Sequence, residues 1–182
     1  MKSLRRATMN RRRMIAACLG ALGLVRRPPA LWGALVSRYR KLSRPVTVAW
    51  REVASVWQPV WFDARVRAPK PSASGSSELL LKGVLLRIPD PRGATRLKAF
   101  CLTCPHELCQ VGYVREPGQV RLDPAERPEH PLLVCPCHFS IFDPAEDGAR
   151  LAGPTPRGLY RFRLKAGSRK ITITEVEEDA LG

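Results

Sequence analysis

Residues 104–109 read CPHELC and residues 135–140 read CPCHFS. Between them, these two stretches hold four of the chain's six cysteines and two of its three histidines. Reduced to reactive side chains, they are Cys104-x-His106-x-x-Cys109 and Cys135-x-Cys137-His138. A cysteine and a histidine close together on a tight loop can both aim at one centre, and Pro105 and Pro136 stiffen the two loops. Each loop offers one thiolate and one imidazole and has a cysteine left over. Structural zinc can use such a set, but ordinarily from a cysteine pair followed by a spaced histidine pair. Spare cysteines on facing loops suggest a disulfide, which needs an oxidising compartment.

The 182 residues suit one domain plus an appendage, since single cores of about 100–150 residues are commonest. A formal net charge of +15 would ordinarily point to nucleic acid or an anionic membrane surface. Its distribution argues against nucleic acid. Twelve of the 31 Lys and Arg lie within residues 1–44, which contain no Asp or Glu, leaving 19 basic against 16 acidic residues in the remainder. A nearly balanced globular domain therefore follows a cationic leader, and no nucleic-acid partner is expected.

The leader carries Asn10-Arg11-Arg12-Arg13, an apolar run at 14–25, then Arg26-Arg27-Pro28-Pro29. Paired arginines before an apolar segment look like a twin-arginine export signal. The run is shorter than the roughly 20 residues that span a bilayer. A retained anchor is the leading reading, since no small-x-small cleavage site follows; a cleaved signal and a basic segment lying on the membrane surface are the alternatives. Residues 39–44 would then be a polar tether. Cys18 and Trp32 fall in this leader and read as packing or interfacial residues.

From residue 46 onward, short runs of Val, Leu, Ile, Phe and Trp alternate with Pro, Gly and Asp, the pattern of an all-β domain. Strands are expected at 46–50, 60–66, 79–88, 96–101, 120–122, 132–135, 159–165 and 170–176. The alternation KITITEV at 170–176 is the clearest, because a period of two puts Ile171 and Ile173 on one face. KPSASGSS at 70–77 reads as a flexible surface loop. The two Cys/His loops fall inside the β pattern, which makes the organisation a β-sandwich carrying an inserted site-bearing unit.

At these residues the chain resembles the Rieske iron-sulfur proteins, whose pattern is C-x-H-x-x-C followed by C-x-x-H with an extra cysteine beside the second histidine. The resemblance covers roughly residues 96–160, and Gly153-Pro154-Thr155-Pro156 is similar to the family's proline loop. It implies an antiparallel Rieske-type sandwich over 45–182, with a cluster-binding unit at about 96–150. By the same resemblance, Cys104 and Cys135 hold one iron of a [2Fe-2S] cluster, His106 and His138 hold the other, and Cys109 pairs with Cys137 in a disulfide. Imidazoles in place of two thiolates make the cluster easier to reduce, at about −150 to +300 mV against about −400 mV for an all-cysteine cluster. Both imidazoles should reach the surface, each with one nitrogen free for a proton.

Three departures from the family pattern matter. Leu108 stands where a glycine is common, so its loop must turn without glycine's freedom at positive φ. Glu107 stands where many members carry a shielding apolar residue; it either disfavours the reduced state or is a solvated loop charge. Ser140 resembles the serine that bonds a bridging sulfide, while Phe142 replaces a tyrosine whose hydroxyl bonds a cysteine sulfur, implying a lower potential. Cys101 reads as a strand residue beside the ligand loop, His130 as part of an exposed turn, and Trp50, Trp57 and Trp61 as core or interfacial residues.

The resemblance implies a redox subunit of a complex rather than a stand-alone enzyme, with no catalytic residue of its own. The leading expectation is the iron-sulfur subunit of a membrane-bound quinol:cytochrome c oxidoreductase. Its partners would be quinol, cytochrome b and a c-type cytochrome, with the soluble domain on the periplasmic side of a membrane. The alternative is the small subunit of a periplasmic molybdenum oxidase of the arsenite-oxidase kind, partnered by a molybdenum catalytic subunit. The extra cysteine pair and the leader argue against a ferredoxin feeding a ring-hydroxylating oxygenase. Visible colour would separate any of these from a zinc module.

Overall fold

The computed structural model describes residues 38–68, 77–90 and 92–181. The leader up to residue 37, with its signal and anchor readings, and most of the loop expected at 70–77 lie outside the described residues. Within them the strands are β1 (Tyr39–Ala49), β2 (Val60–Arg67), β3 (Glu78–Pro89), β4 (Thr95–Cys101), β5 (Gly112–Val114), β6 (Leu132–Val134), β7 (Ile141–Asp143), β8 (Ala149–Ala152), β9 (Phe162–Ala166) and β10 (Lys170–Glu177). They form a six-stranded sheet in the order β4-β3-β2-β1-β10-β9 and a four-stranded sheet in the order β5-β6-β7-β8, with antiparallel pairing. The fold is the expected all-β base with an inserted unit. Its larger sheet curls far enough for β4 to meet the approach to β9: Phe100 bridges Arg161, and the Cys101 N–H donates to the Tyr160 carbonyl at 2.8 Å.

Period-two alternation builds the base core. Phe62, Ala64 and Val66 of β2 and Ile171 and Ile173 of β10 turn inward. Strand β3 departs from simple alternation, with buried residues running from Gly83 to Leu86. Leu81 and Leu85 face the base interior, whereas Val84, Leu86 and Ile88 belong to a second core. Strand β4 divides likewise, Ala99 and Cys101 on one side and Phe100 on the other. A strand buried on both faces reads as a continuous apolar run. The inserted sheet therefore packs on the outer face of β3 and β4, and Cys104, Cys135 and Phe142 lie in that second core.

Several elements differ from the sequence reading. Residues 39–44, expected as a tether, form the first half of β1, where Tyr39 pairs with Glu177 and Leu42 is buried. Trp50 leaves the strand in a 3-10 turn (Trp50–Val53). Residues 120–122 are not a strand; a 3-10 turn (Pro117–Gln119) precedes them, and Val120 is buried from a bend. Strand β9 starts at Phe162 because Leu159 enters the second core and Tyr160 the first, so the chain is still crossing between the two. Strand β4 lies in the large sheet, while the small sheet runs from β5 to β8. Among the described residues, no helix is long and apolar enough to cross a membrane.

Candidate metal centre

The first loop is closed at its neck by backbone. Leu102 N–H donates to Lys82 O of β3 at 2.9 Å, Val111 N–H returns to Leu102 O at 2.8 Å, and Thr103 bridges Gln110. Inside the neck, Cys104 N–H bonds Cys109 O at 2.9 Å and Leu108 N–H bonds Cys104 O at 3.0 Å. The turn is completed by Leu108 at φ 57, the left-handed region that glycine ordinarily fills. The second loop joins β6 to β7 and is closed by Cys135 N–H donating to Ser140 O at 2.8 Å. There Phe139 takes φ 54. Each loop thus turns at a large, exposed apolar residue: Leu108 is 62% and Phe139 61% exposed.

The two loops meet as the sequence anticipates. Cys109 and Cys137 form a disulfide across 28 residues. Closing a loop of that length stabilises the fold by roughly 3.5 kcal/mol in the chain-entropy picture. Cys104 and Cys135 remain free thiols, each 1% exposed. Burial first, and then the neighbouring Cys135 thiol, push the Cys104 thiol up from its ordinary pKa. The His106 and His138 rings stand 4.8 Å apart and almost perpendicular, at 89°. His138 is 45% exposed and His106 remains at least part-exposed. Glu107 Oε2 lies 3.7 Å from His138 Nδ1, beyond hydrogen-bond reach.

Three features show that this arrangement fits a cluster with two sulfur and two nitrogen ligands. Among the described residues, the buried side-chain atoms without a hydrogen-bond partner are His106 Nδ1 and Ser140 Oγ. Leaving such atoms unpaired costs about 1–3 kcal/mol each, and one lies on each Cys/His loop, so a group held by the two loops would pair them. Two buried thiols stay free although a disulfide lies beside them, its sulfurs within 4.8 Å of Cys135 Sγ. Thiolates opposite imidazoles are also the donor set of a [2Fe-2S] centre with two histidine ligands.

The surroundings complete the site. Phe142 is fully buried in the core that contains both free thiols and brings no hydroxyl to them. Gly153, at φ 93, lies against the Ser140 backbone. Pro154 is exposed, while Thr155 is buried with its hydroxyl donating to Arg157 O at 3.0 Å. An apolar groove of about 480 Å³ lies on the flank beside Pro136 and Phe139, lined by Val111, Val120, Val134 and Ile141. Gln110, Gln119 and Arg121 supply its polar edge. Cys101 is, as expected, a buried strand residue.

Two relationships escaped the sequence. His130, expected in an exposed turn, is only 25% exposed; its Nε2 lies 2.7 Å from Asp143 Oδ1 and its ring stacks on Trp57. Glu177, 1% exposed at the end of β10, accepts from Arg157 Nη2 and Arg161 Nη2, each at 2.7 Å. Burial alone would raise the Glu177 pKa, but the hydrogen bond and charge of Arg161 and the charge of Arg157 outweigh it and hold the carboxyl below its ordinary value. No periodic signal marks either pair, because each joins residues from different elements.

Comparison with known proteins agrees with the geometry. The family model for the Rieske [2Fe-2S] domain matches residues 69–163. A Haloferax mediterranei protein named as a Rieske subunit of a respiratory nitrate reductase is 31% identical over 75 residues, 41% of this chain and 28% of that protein. Two solved structures are similar at 21% identity. The soluble domain of Rieske protein II from Sulfolobus acidocaldarius has a TM-score of 0.44, covering 73% of this chain and 78% of the other. The plasma-membrane Rieske protein of the cyanobacterium Synechocystis has a TM-score of 0.34, covering 61% and 84%. The family match spans both loops, the disulfide-linked pair and the free thiols alike, and on that ground the chain belongs to the Rieske [2Fe-2S] family of electron-transfer proteins, with a [2Fe-2S] cluster as its cofactor.

Proposed function

We infer that this protein is the electron-transfer subunit of a membrane-bound quinol:cytochrome c oxidoreductase, taking an electron and a proton from quinol and passing the electron to a c-type cytochrome. Cys104 and Cys135 would hold one iron, and His106 and His138 the other. When bound, the cluster supplies a one-electron couple. The observation that carries the reading is the pair of perpendicular imidazoles at the tip, with His138 45% exposed. An imidazole at the surface can accept a hydrogen bond from a quinol hydroxyl and hold its proton. Leu108 and Phe139 flank it with apolar surface that displaces water from an approaching partner. The disulfide favours an extracytoplasmic setting, consistent with a periplasmic domain tied to a membrane.

A second reading has its own support. The Haloferax relative is named as a Rieske subunit of a respiratory reductase, and His138-Phe139-Ser140 resembles the small subunit of arsenite-oxidase-type molybdenum enzymes. In that setting the electron would arrive from a catalytic partner subunit. Purification of the tagged full-length chain from its native membranes separates the two. Quinol-dependent cytochrome c reduction together with a co-purifying cytochrome b supports the first. A co-purifying molybdenum subunit without that activity overturns it in favour of the second.

A further inference from the structure

The two ligand loops differ in how they are held. The first springs from β4, a seven-residue strand of the large sheet, whereas the second is the tip of a hairpin of two three-residue strands, β6 and β7. That hairpin has only two register pairs, Leu133 with Phe142 and Val134 with Ile141. So short a ribbon is marginal by itself in water. Its tip is fixed by the Cys109–Cys137 disulfide. Its long edges pair with β5 and β8, so the part that still needs a hold is the root, where the chain enters β6 and leaves β7.

His130 stands at that root. It lies two residues before β6, and its Nε2 is 2.7 Å from Oδ1 of Asp143, the last residue of β7. Asp143 is 4% exposed and also accepts from Ala145 N–H at 2.7 Å. Burial would raise the Asp143 pKa, but the hydrogen bond and charge of His130 and the amides of Ala145 and Glu146 win and hold it below the ordinary value. An ionised carboxylate only accepts, so Nε2 carries the proton and donates. The contact closes the end of the hairpin opposite the cysteines.

The other face of the ring reaches the base. Trp57 stacks on His130 with centroids 4.9 Å apart and planes 2° from parallel. Trp57 is itself fixed: its N–H donates to Arg87 O of β3 at 2.9 Å, and its carbonyl accepts from Tyr113 Oη of β5. It holds φ 60 to do so, a left-handed conformation that persists only when its surroundings enforce it. One imidazole therefore joins the hairpin root to a residue bonded to both the large sheet and β5.

We propose that His130 is a positioning residue: clamped between Asp143 and Trp57, it sets the angle at which the β6–β7 hairpin presents Cys135 and His138 to the first loop. The role rests on the assignment of those two residues as ligands, but its first test does not. In apo protein, His130→Ala should speed exchange of the β6 and β7 amides by about tenfold or more, as loss of one charge-assisted hydrogen bond predicts. Amides of β1 and β10 should change much less. His130→Gln, which keeps a donor, should restore part of the protection, and His130→Phe, which keeps the stack, a different part.

In the loaded full-length protein, His130→Ala should also shift the g-values of the reduced-state electron spin resonance spectrum, while His130→Gln stays near the parent. If exchange rises equally in β1, β10, β6 and β7, with unchanged g-values, His130 only adds global stability and the proposal fails. Should His130→Ala not fold, the Gln and Phe variants decide: parent-like exchange in both overturns the clamp. Loss of iron from a variant with normal apo exchange would point instead to a wrong ligand assignment.

Discussion

Gly153 sits so close to Ser140 that a Cβ on it would stand 2.4 Å from Ser140 Cα and 2.8 Å from both its amide nitrogen and its hydroxyl oxygen. The loop of Gly153 and Pro154 therefore rests directly on the loop that carries Cys135 and His138. Backbone cannot yield as a flexible side chain would, and φ 93 is strained for any L side chain. Gly153→Ala should destabilise the fold by about 2–4 kcal/mol, combining overpacking with left-handed strain. It should also lower iron retention, since Ser140 is displaced. Urea unfolding and iron content after gel filtration check this; parent-like values for both would mean that the proline loop stands off the site in solution.

Leu108 and Phe139 make the opposite case. Both carry left-handed φ with a bulky side chain and both are mostly exposed, so neither gains burial in return for its strain. Leu108→Gly removes about 1–2 kcal/mol of strain and adds about 0.5–1 kcal/mol of backbone freedom to the unfolded chain. The expected result is a variant more stable by up to about 1.5 kcal/mol, with slower electron exchange with its partner. Strain kept against stability marks a functional surface. Thermal unfolding and partner-dependent turnover test the two halves; a less stable Gly variant would show that Leu108 is held by packing after all.

Acid should act through Asp143 and Glu177. Both carboxyls titrate below their ordinary range in the folded chain. A depressed folded-state pKa contributes stability that is complete above the unfolded value, about 4, and is lost as pH falls through the folded value. Stability should thus hold from neutral pH down to the ordinary carboxylate range and drop below it. Glu177→Gln should flatten that acid limb and cost about 2–3 kcal/mol at neutral pH. That is less than the roughly 3–5 kcal/mol for a fully buried pair, because Arg157 and Arg161 are 32% and 38% exposed and can rehydrate. Unfolding measured from pH 7 to pH 3 decides: an unchanged acid limb would mean that other groups govern it.

What the sequence disclosed followed from local chemistry and regular period. The Cys/His spacing pointed to two loops that meet and to the disulfide between them, and KITITEV marked β10 because both isoleucines share one buried face. Strands β5, β7 and β8 span only three or four residues, too short for alternation to register. Residues 39–44 read as a tether because their charges face solvent, while Leu42 alone points into the core. His130 was illegible for a different reason: Asp143 and Trp57 reach it from separate elements, and only the folded chain brings them together.

Phe142 offers the sharpest test of the site's electronics. Its ring is fully buried in the core that holds the Cys104 and Cys135 thiols, and it replaces the hydroxyl-bearing residue that the family often places there. A donor aimed at a coordinating sulfur stabilises the extra negative charge of the reduced state. Phe142→Tyr should raise the midpoint potential, on the order of 40 mV if the new hydrogen bond contributes about 1 kcal/mol to a one-electron couple. The same hydroxyl, if it found no sulfur, would be a buried unpaired group and cost about 1–3 kcal/mol of stability. Voltammetry and thermal unfolding of one variant therefore read the same atom twice. A raised potential with parent-like stability places the sulfur within its reach, whereas an unchanged or lowered potential with a lower melting temperature means that Phe142 faces away from the donors and fills the core alone.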